Sequence, residues 1–111
     1  MNNRRIYERI PYHEAVGVQK GENPPSGSVA KDLSLGGVQI NVGDFIPLNT
    51  VVNLQIHLTN PARTVPIKGR VAWVREVPQS ERYDVGIEFL PDKDSTAAIQ
   101  HYISSRRFQP I

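Results

Sequence analysis

The 111-residue sequence contains no cysteine and no long apolar run. Without cysteine there is no disulfide, no thiolate chemistry and no cysteine-based metal site. A membrane-spanning helix needs roughly 20 consecutive apolar residues, and no segment approaches that length. The N-terminus also lacks the apolar segment of a secretion signal. We therefore expect a cytoplasmic protein that does not insert directly into a membrane.

The net charge is also low. Thirteen basic and eleven acidic residues leave a formal charge of +2, which is too little for a general polyanion binder. Nine of the basic residues are arginine, the side chain suited to planar, bidentate contacts with phosphates and bases. The composition thus favours specific recognition over diffuse attraction.

Catalytic patterns are missing as well. The three histidines lie in separate segments, without the spacing of a zinc-binding helix. No serine stands in a nucleophile-elbow context, and Gly36-Gly37 is not followed by the lysine of a phosphate-binding loop. Asp84 and Glu88 fit a solvated strand face better than a catalytic pair. We expect no enzyme activity, no cofactor and no metal.

Alternation of apolar and polar residues predicts a mainly β fold. The predicted strands cover residues 13–20, 28–34, 38–42, 52–58, 65–77 and 85–89. Six short strands with polar outer faces predict a small six-stranded antiparallel β-barrel. In the second strand, alternation places Val29 and Leu33 inward, and Ala30, Asp32 and Ser34 outward.

The two ends of the chain differ from this pattern. Residues 92–107 are predicted to form a C-terminal α-helix, with Asp94 or Ser95 as its N-cap. Its apolar residues recur at helical spacing: Ala98, Ile99, Tyr102 and Ile103. Residues 1–11 are polar and basic without packing periodicity, so we expect a flexible arm. Residues 12–111 then form one barrel domain with its helix.

Two short motifs carry complementary chemistry, Arg5-x-x-x-Arg9 and Asp32-x-Ser34-x-x-Gly37. A carboxylate suits the N–H edge of guanine, and arginine suits phosphate and the guanine O6/N7 edge. Glycine leaves room for a close approach to the backbone. Together the motifs predict one site for a ligand made of guanine and phosphate.

The order and spacing of these motifs resemble the PilZ domain family, bacterial domains that bind cyclic di-GMP. Gly69–Val74 and Gly86–Phe89 are also similar to strands of that family. The resemblance implies a PilZ-like barrel and a ligand site built from eight residues. They are Arg4, Arg5, Arg9, Asp32, Ser34, Gly36, Gly37 and Trp73.

The resemblance also implies roles for these residues. Arg5 and Arg9 would hold the phosphates and the guanine O6/N7 edge, while Asp32 would accept from guanine N1–H and N2–H₂. Ser34 would add a hydrogen bond, and Gly37 would permit close approach. An arginine just before the motif, as at Arg4, tends to accompany a stacked pair of ligands, so two molecules per chain are expected.

Trp73, the single tryptophan, has two interpretations. It lies two residues from Val71, so alternation favours packing in the core. A guanine could instead stack on the ring at the barrel rim, a contact worth roughly 1–3 kcal/mol in single-stranded complexes. The sequence leaves both possibilities open.

Three functions fit the sequence. The leading one is a receptor that binds cyclic di-GMP and orders its arm toward an unidentified effector protein. The second is a PilZ-like interaction module without ligand, although the presence of Arg5, Arg9, Asp32, Ser34 and Gly37 argues against it. The third is a small barrel that binds single-stranded nucleic acid. That function needs several exposed aromatic residues on one face, so DNA or RNA is not expected.

Overall fold

The computed structural model describes residues 9–21, 26–59, 62–90 and 92–107. Seven strands and one helix follow each other along the chain. They are β1 (Ile10–Pro11), β2 (Ala15–Lys20), β3 (Ser26–Ser34), β4 (Gly37–Val42), β5 (Val51–Leu58), β6 (Arg63–Glu76), β7 (Tyr83–Phe89) and α1 (Lys93–Arg107). The predicted mainly β fold with a C-terminal helix is confirmed.

Six of the strands close into a barrel. Going round it, β3 pairs with β2, β2 with β5, β5 with β6, β6 with β7 and β7 with β4, all antiparallel. Pairing of β4 with β3 closes the cycle. The predicted six-stranded antiparallel barrel is therefore confirmed.

The extra strand, β1, joins the barrel beside β3. Ile10 and Pro11 pair with Leu33 and Asp32, next to the part of β3 that β2 leaves uncovered. Ile10 is buried in the core, so the barrel includes residues 10 and 11, which the sequence assigned to the arm. Residues 1–8 of that arm lie outside the described residues.

The core is filled most regularly by β5, in which buried and exposed residues alternate without interruption. Val52, Leu54 and Ile56 are completely buried. Each outward neighbour is polar apart from the first residue, Val51. This is the burial pattern that the period of a half-buried strand predicts.

The helix packs against the barrel with the apolar face that its spacing predicted. Ala98, Ile99, Tyr102 and Ile103 are all buried. The ring of Tyr102 meets that of Tyr12 edge to face at a centroid distance of 6.1 Å. No helix within the described ranges is long and apolar enough to cross a membrane.

The helix N-cap is Asp92 rather than Asp94 or Ser95, so that prediction is wrong. The Asp92 carboxylate accepts the backbone N–H of Asp94 at 3.1 Å. Ser95 lies inside the first turn, and its hydroxyl donates to the Pro66 carbonyl of β6 at 2.7 Å. An N-cap residue lies just before the helix and accepts a free backbone N–H of the first turn. Asp92 occupies that position here.

A bulge in β3 makes part of the predicted alternation wrong. The register between β3 and β4 shifts between Ala30 and Asp32, which leaves Lys31 as an extra residue. Because that residue resets the two-residue period, Ala30 is fully buried whereas Val29 is 52% exposed. Leu33 points inward as predicted.

A second bulge, in β6, decides the position of Trp73. The register with β7 shifts between Val71 and Trp73, so that Trp73 pairs with Gly86 and Val74 with Val85. Val71 is fully buried, and the next residue of β6 that packs against the core is Val74 instead of Trp73. Core packing of Trp73, which alternation favoured, is therefore wrong.

Candidate functional site

The outer face of β3, β4, β7 and β6 arranges its side chains in rows, because each residue lies opposite a partner on the next strand. We call the middle row the groove row. It consists of Asp32, Gln39, Gly86 and Trp73. A row on one side contains Ser34, Gly37, Glu88 and Arg70, and the row on the other side contains Asn41, Asp84 and Arg75.

A groove of about 160 Å³ lies on this face. It extends from Arg9 beside β3 to Trp73 on β6. Between them the lining includes Gly37 and Gly86, so backbone rather than side chains forms much of the floor. A flat ligand could therefore approach the sheet closely between a charged end and an aromatic end.

The charged end of the groove is an ion pair between the two predicted motifs. Arg9 Nη1 lies 2.5 Å from Asp32 Oδ1, although 23 positions separate the residues in the chain. Pairing of Pro11 with Asp32 explains the contact, since it fixes the chain just after Arg9. The side chains are 43% and 27% exposed, so the pair contributes at most about 1 kcal/mol to stability.

The other predicted arginines cannot be placed. Arg4 and Arg5 lie outside the described residues. The structure thus brings one residue of the arginine motif to the aspartate motif.

Ser34 has a local partner in the turn between β3 and β4. Its hydroxyl oxygen accepts the N–H of Gly36 at 3.2 Å and lies 3.4 Å from the Gly37 carbonyl. It lines the groove on the same face as Asp32, but only 2% of the residue is exposed. Its first role is therefore to hold the two-residue turn that Gly36 completes.

Gly37 is required by the barrel itself. A Cβ at this position would lie 2.1 Å from the Ile87 carbonyl oxygen of β7. No side chain can be accommodated unless β4 and β7 separate. From the sequence, Gly37 was expected to leave room for a ligand. In the structure it leaves room for the backbone of β7 at Ile87.

Gly86 makes room for Trp73 in a similar way. A Cβ on Gly86 would lie 2.0 Å from the indole Nε1 and 2.2 Å from Cε2. The indole therefore rests directly over the β7 backbone. Trp73 is partly exposed and forms the aromatic end of the groove.

Asp84 is the residue that sequence reasoning missed. It was assigned to a solvated face, yet its side chain is only 4% exposed on the outside of the barrel. It accepts hydrogen bonds from Arg75 at 2.8 Å, Asn41 at 3.1 Å and Lys31 at 3.2 Å. These partners lie on three other strands, and only the strand register, which the sequence does not give, could have revealed them.

The environment of Asp84 favours its charged form. Burial by itself raises the pKa of this carboxyl, but the hydrogen bonds from Arg75, Asn41 and Lys31 outweigh it. The pKa is therefore held below its ordinary value. Asp84 thus anchors the cationic side chains of Lys31 and Arg75.

Comparison with known proteins identifies the family. The sequence matches the family model of the PilZ domain over residues 3–105. The chain belongs to the PilZ domain family. A search of curated protein sequences gave no match.

Solved structures share the fold. The inhibitor of motility MotI/DgrA from Bacillus subtilis has a TM-score of 0.76 and 19% identity, covering 96% of this chain and 53% of its own. YcgR from Escherichia coli in complex with cyclic di-GMP has a TM-score of 0.75 and 17% identity, with coverages of 94% and 46%. The PilZ domain of YcgR with cyclic di-GMP has a TM-score of 0.71 at 17% identity, with coverages of 94% and 92%. The chain thus spans about half the length of the first two proteins.

Proposed function

We propose that this chain is a non-catalytic receptor for cyclic di-GMP that acts in the cytoplasm. The observation that carries the proposal is the Arg9–Asp32 pair at one end of a groove whose other end is Trp73. Family membership supports the ligand, as do the two YcgR structures that contain cyclic di-GMP. DNA and RNA are not expected ligands.

The paired charges provide a simple binding step. Without ligand, Arg9 and Asp32 satisfy each other at little net gain in stability, because both are partly exposed. With ligand, Arg9 turns to a phosphate or to guanine O6/N7, and Asp32 accepts from guanine N1–H and N2–H₂. Each charge exchanges one partner for another, so neither is left unpaired.

Trp73 and the glycine floor complete the groove in this proposal. A guanine lying over Gly37 can approach the β4 backbone and contact the indole at the β6 end. Ser34 stays in the turn and helps to fix the position of Asp32, which precedes it by two residues. Direct hydrogen bonding of Ser34 to the ligand is the lesser part of its role.

The arm supplies the remaining charge and the signal. Arg4 and Arg5 would join Arg9 around the phosphates, and two stacked ligands per chain would need this third guanidinium to offset phosphate repulsion. Ordering of the arm would then present a surface to an unidentified effector protein.

Calorimetric titration with cyclic di-GMP tests this function. The wild-type protein should bind two molecules per chain. Arg9→Ala and Asp32→Ala should each weaken binding at least about tenfold, and the double variant should be less than additive because both residues serve one ligand. Arg63→Ala, at the opposite end of β6, is the matched control.

Other ligands in the same assay decide between the functions. Binding of GTP or of a single-stranded oligonucleotide in preference to cyclic di-GMP would contradict the proposal. Absence of any nucleotide binding would instead favour the alternative function, a PilZ-like interaction module that binds no ligand. A ratio of one ligand per chain would contradict the stacked pair alone, and Arg4→Leu should shift a ratio of two toward one.

A further inference from the structure

We propose that three cations beside the groove form a second, previously unassigned phosphate subsite for the nucleotide bound there. The cluster consists of Lys31, Asn41, Arg75, Arg82 and Asp84, and we call it the Asp84 cluster. The inference rests on the proposed function, because it assigns part of the same nucleotide to a new position. None of these residues belongs to either motif.

The Asp84 cluster is built around one buried carboxylate. Lys31 and Arg75 both form ion pairs with Asp84, at 3.2 and 2.8 Å. Arg82 is attached through Asn41: its Nε donates to the Asn41 amide oxygen, and its Nη2 donates to the Asn41 carbonyl at 3.2 Å. Asn41 in turn donates to Asp84 at 3.1 Å.

The charges of the cluster are not balanced. The cluster contains three cations and one carboxylate, which pairs with Lys31 and Arg75, so an excess of positive charge remains at the surface. At the charged end of the groove, in the described residues, Arg9 is already paired with Asp32, and Glu88 also lines the groove. One phosphate of a dianionic ligand can therefore be held by the Asp84 cluster while the other is held at the Arg9 end of the groove.

The cations of the cluster are positioned but still accessible. The side chains of Arg75 and Lys31 are 64% and 47% exposed, although Asp84 itself is buried. A guanidinium has five N–H donors, and in the described part of the chain Arg75 donates to Asp84 alone. The remaining donors belong to a largely exposed guanidinium and suit the oxygens of a phosphate.

The position of Arg75 connects the cluster to the groove. Its guanidinium carbon lies 5.8 Å from the centroid of the Trp73 ring. Residues two apart in a strand are separated by about 7 Å, so the cluster lies one row from the groove row. A base in contact with Trp73 thus has its sugar and phosphate within reach of Arg75.

Three variants of Arg75 test the inference, with cyclic di-GMP as the titrant at low and high salt. Arg75→Ala and Arg75→Gln should each weaken binding about tenfold and reduce its salt dependence. Arg75→Lys keeps the charge and should stay within about threefold of wild type. Arg63→Ala should bind as wild type does.

The comparison of lysine with glutamine separates charge from packing. Fluorescence of Trp73, the single tryptophan, shows whether the indole keeps its environment in each variant. If Arg75→Gln binds as well as Arg75→Lys, or if all three variants bind like wild type, the phosphate subsite is overturned while the proposed function stands. If the wild-type protein does not bind cyclic di-GMP, the proposed function fails and the subsite fails with it.

Discussion

The two sides of the barrel are built differently. On the regular side, β2, β5 and the first part of β6 pair without any shift in register. On the other side, β3 and β6 each contain a bulge, at Lys31 and at Ala72. On the regular side, buried and exposed residues alternate without interruption and the buried ones fill the core. The bulged side contains the groove.

The bulges explain why the groove lies where it does. Each adds one residue, so two consecutive side chains point outward: Lys31 with Asp32, and Ala72 with Trp73. Asp32 and Trp73 are the two ends of the groove row. Departures from regular pairing thus place the charged and aromatic ends, and the regular strands provide the support.

The largest loss of stability is expected at Gly37, where the bulged side has no room for a side chain. Gly37→Ala places a Cβ 2.1 Å from the Ile87 carbonyl, so β4 and β7 must separate. We expect a loss of about 3 kcal/mol in the free energy of unfolding, measured by urea denaturation. Gly43→Ala, whose Cβ would meet only the Arg82 side chain at 3.5 Å, should cost less than about 0.5 kcal/mol. Equal stability of the two variants would contradict this account of Gly37.

A second effect concerns acid stability on the bulged side. Asp84→Asn removes the charged acceptor of Arg75 and Lys31 and should cost roughly 2 kcal/mol at neutral pH. The pKa of Asp84 is lowered in the folded state, so its stabilisation is present above the ordinary value near 3.9 and is lost as the pH falls below it. The difference between wild type and variant should therefore shrink toward about pH 3. A difference independent of pH would show that charge is not its cause.

Alkaline pH should instead act on the hydrogen bond by which Tyr12 reaches β5 on the regular side. The Tyr12 hydroxyl donates to the His57 carbonyl at 2.5 Å, and burial raises the pKa of this phenol. A raised pKa gives stability that is complete below about pH 10 and declines as the pH rises above it. Tyr12→Phe should cost about 1 kcal/mol near neutral pH and show a shallower alkaline decline. A steeper decline in the variant would refute this.

Apart from the Gly43 control, the smallest change in stability is expected at Gly86. A Cβ there meets the Trp73 indole rather than backbone, and the partly exposed ring can move outward. Gly86→Ala should cost less than about 1 kcal/mol but shift the Trp73 emission to the red. Gly43→Ala serves again as the control, with unchanged emission. An unshifted spectrum would mean that the ring does not rest on Gly86.

Sequence reasoning succeeded on the regular side for a physical reason. A period of two is set by the strand itself, so alternation in β5 predicted which side chains are buried. The helix face was predicted in the same way, from the period of 3.6. Both predictions use only neighbours in the chain.

On the bulged side, the direction of a side chain depends on the pairing between strands, which the adjacent residues in the sequence do not reveal. Whether Trp73 points inward depends on one extra residue at Ala72, and that residue is recognised only by its pairing with β7. The contact of Asp84 with Lys31 likewise joins strands that are not consecutive. Arg9 and Asp32 do lie together, as expected from two motifs with complementary chemistry toward one ligand, while the shared ligand site itself stays a prediction.

The groove is divided between two hairpins, and this affects the order of folding. One hairpin, β3–β4, carries Asp32, and the other, β6–β7, carries Trp73. Among the described strands, the two hairpins pair through β4 and β7, and the Lys31–Asp84 ion pair lies beside this pairing. The pairing joins Gly37 to Glu88 and is slow to form because the residues are distant in sequence. A ligand that needs both ends cannot bind before this late step. It would therefore slow the opening of the barrel and lengthen the lifetime of the folded state, while leaving the rate of folding unchanged.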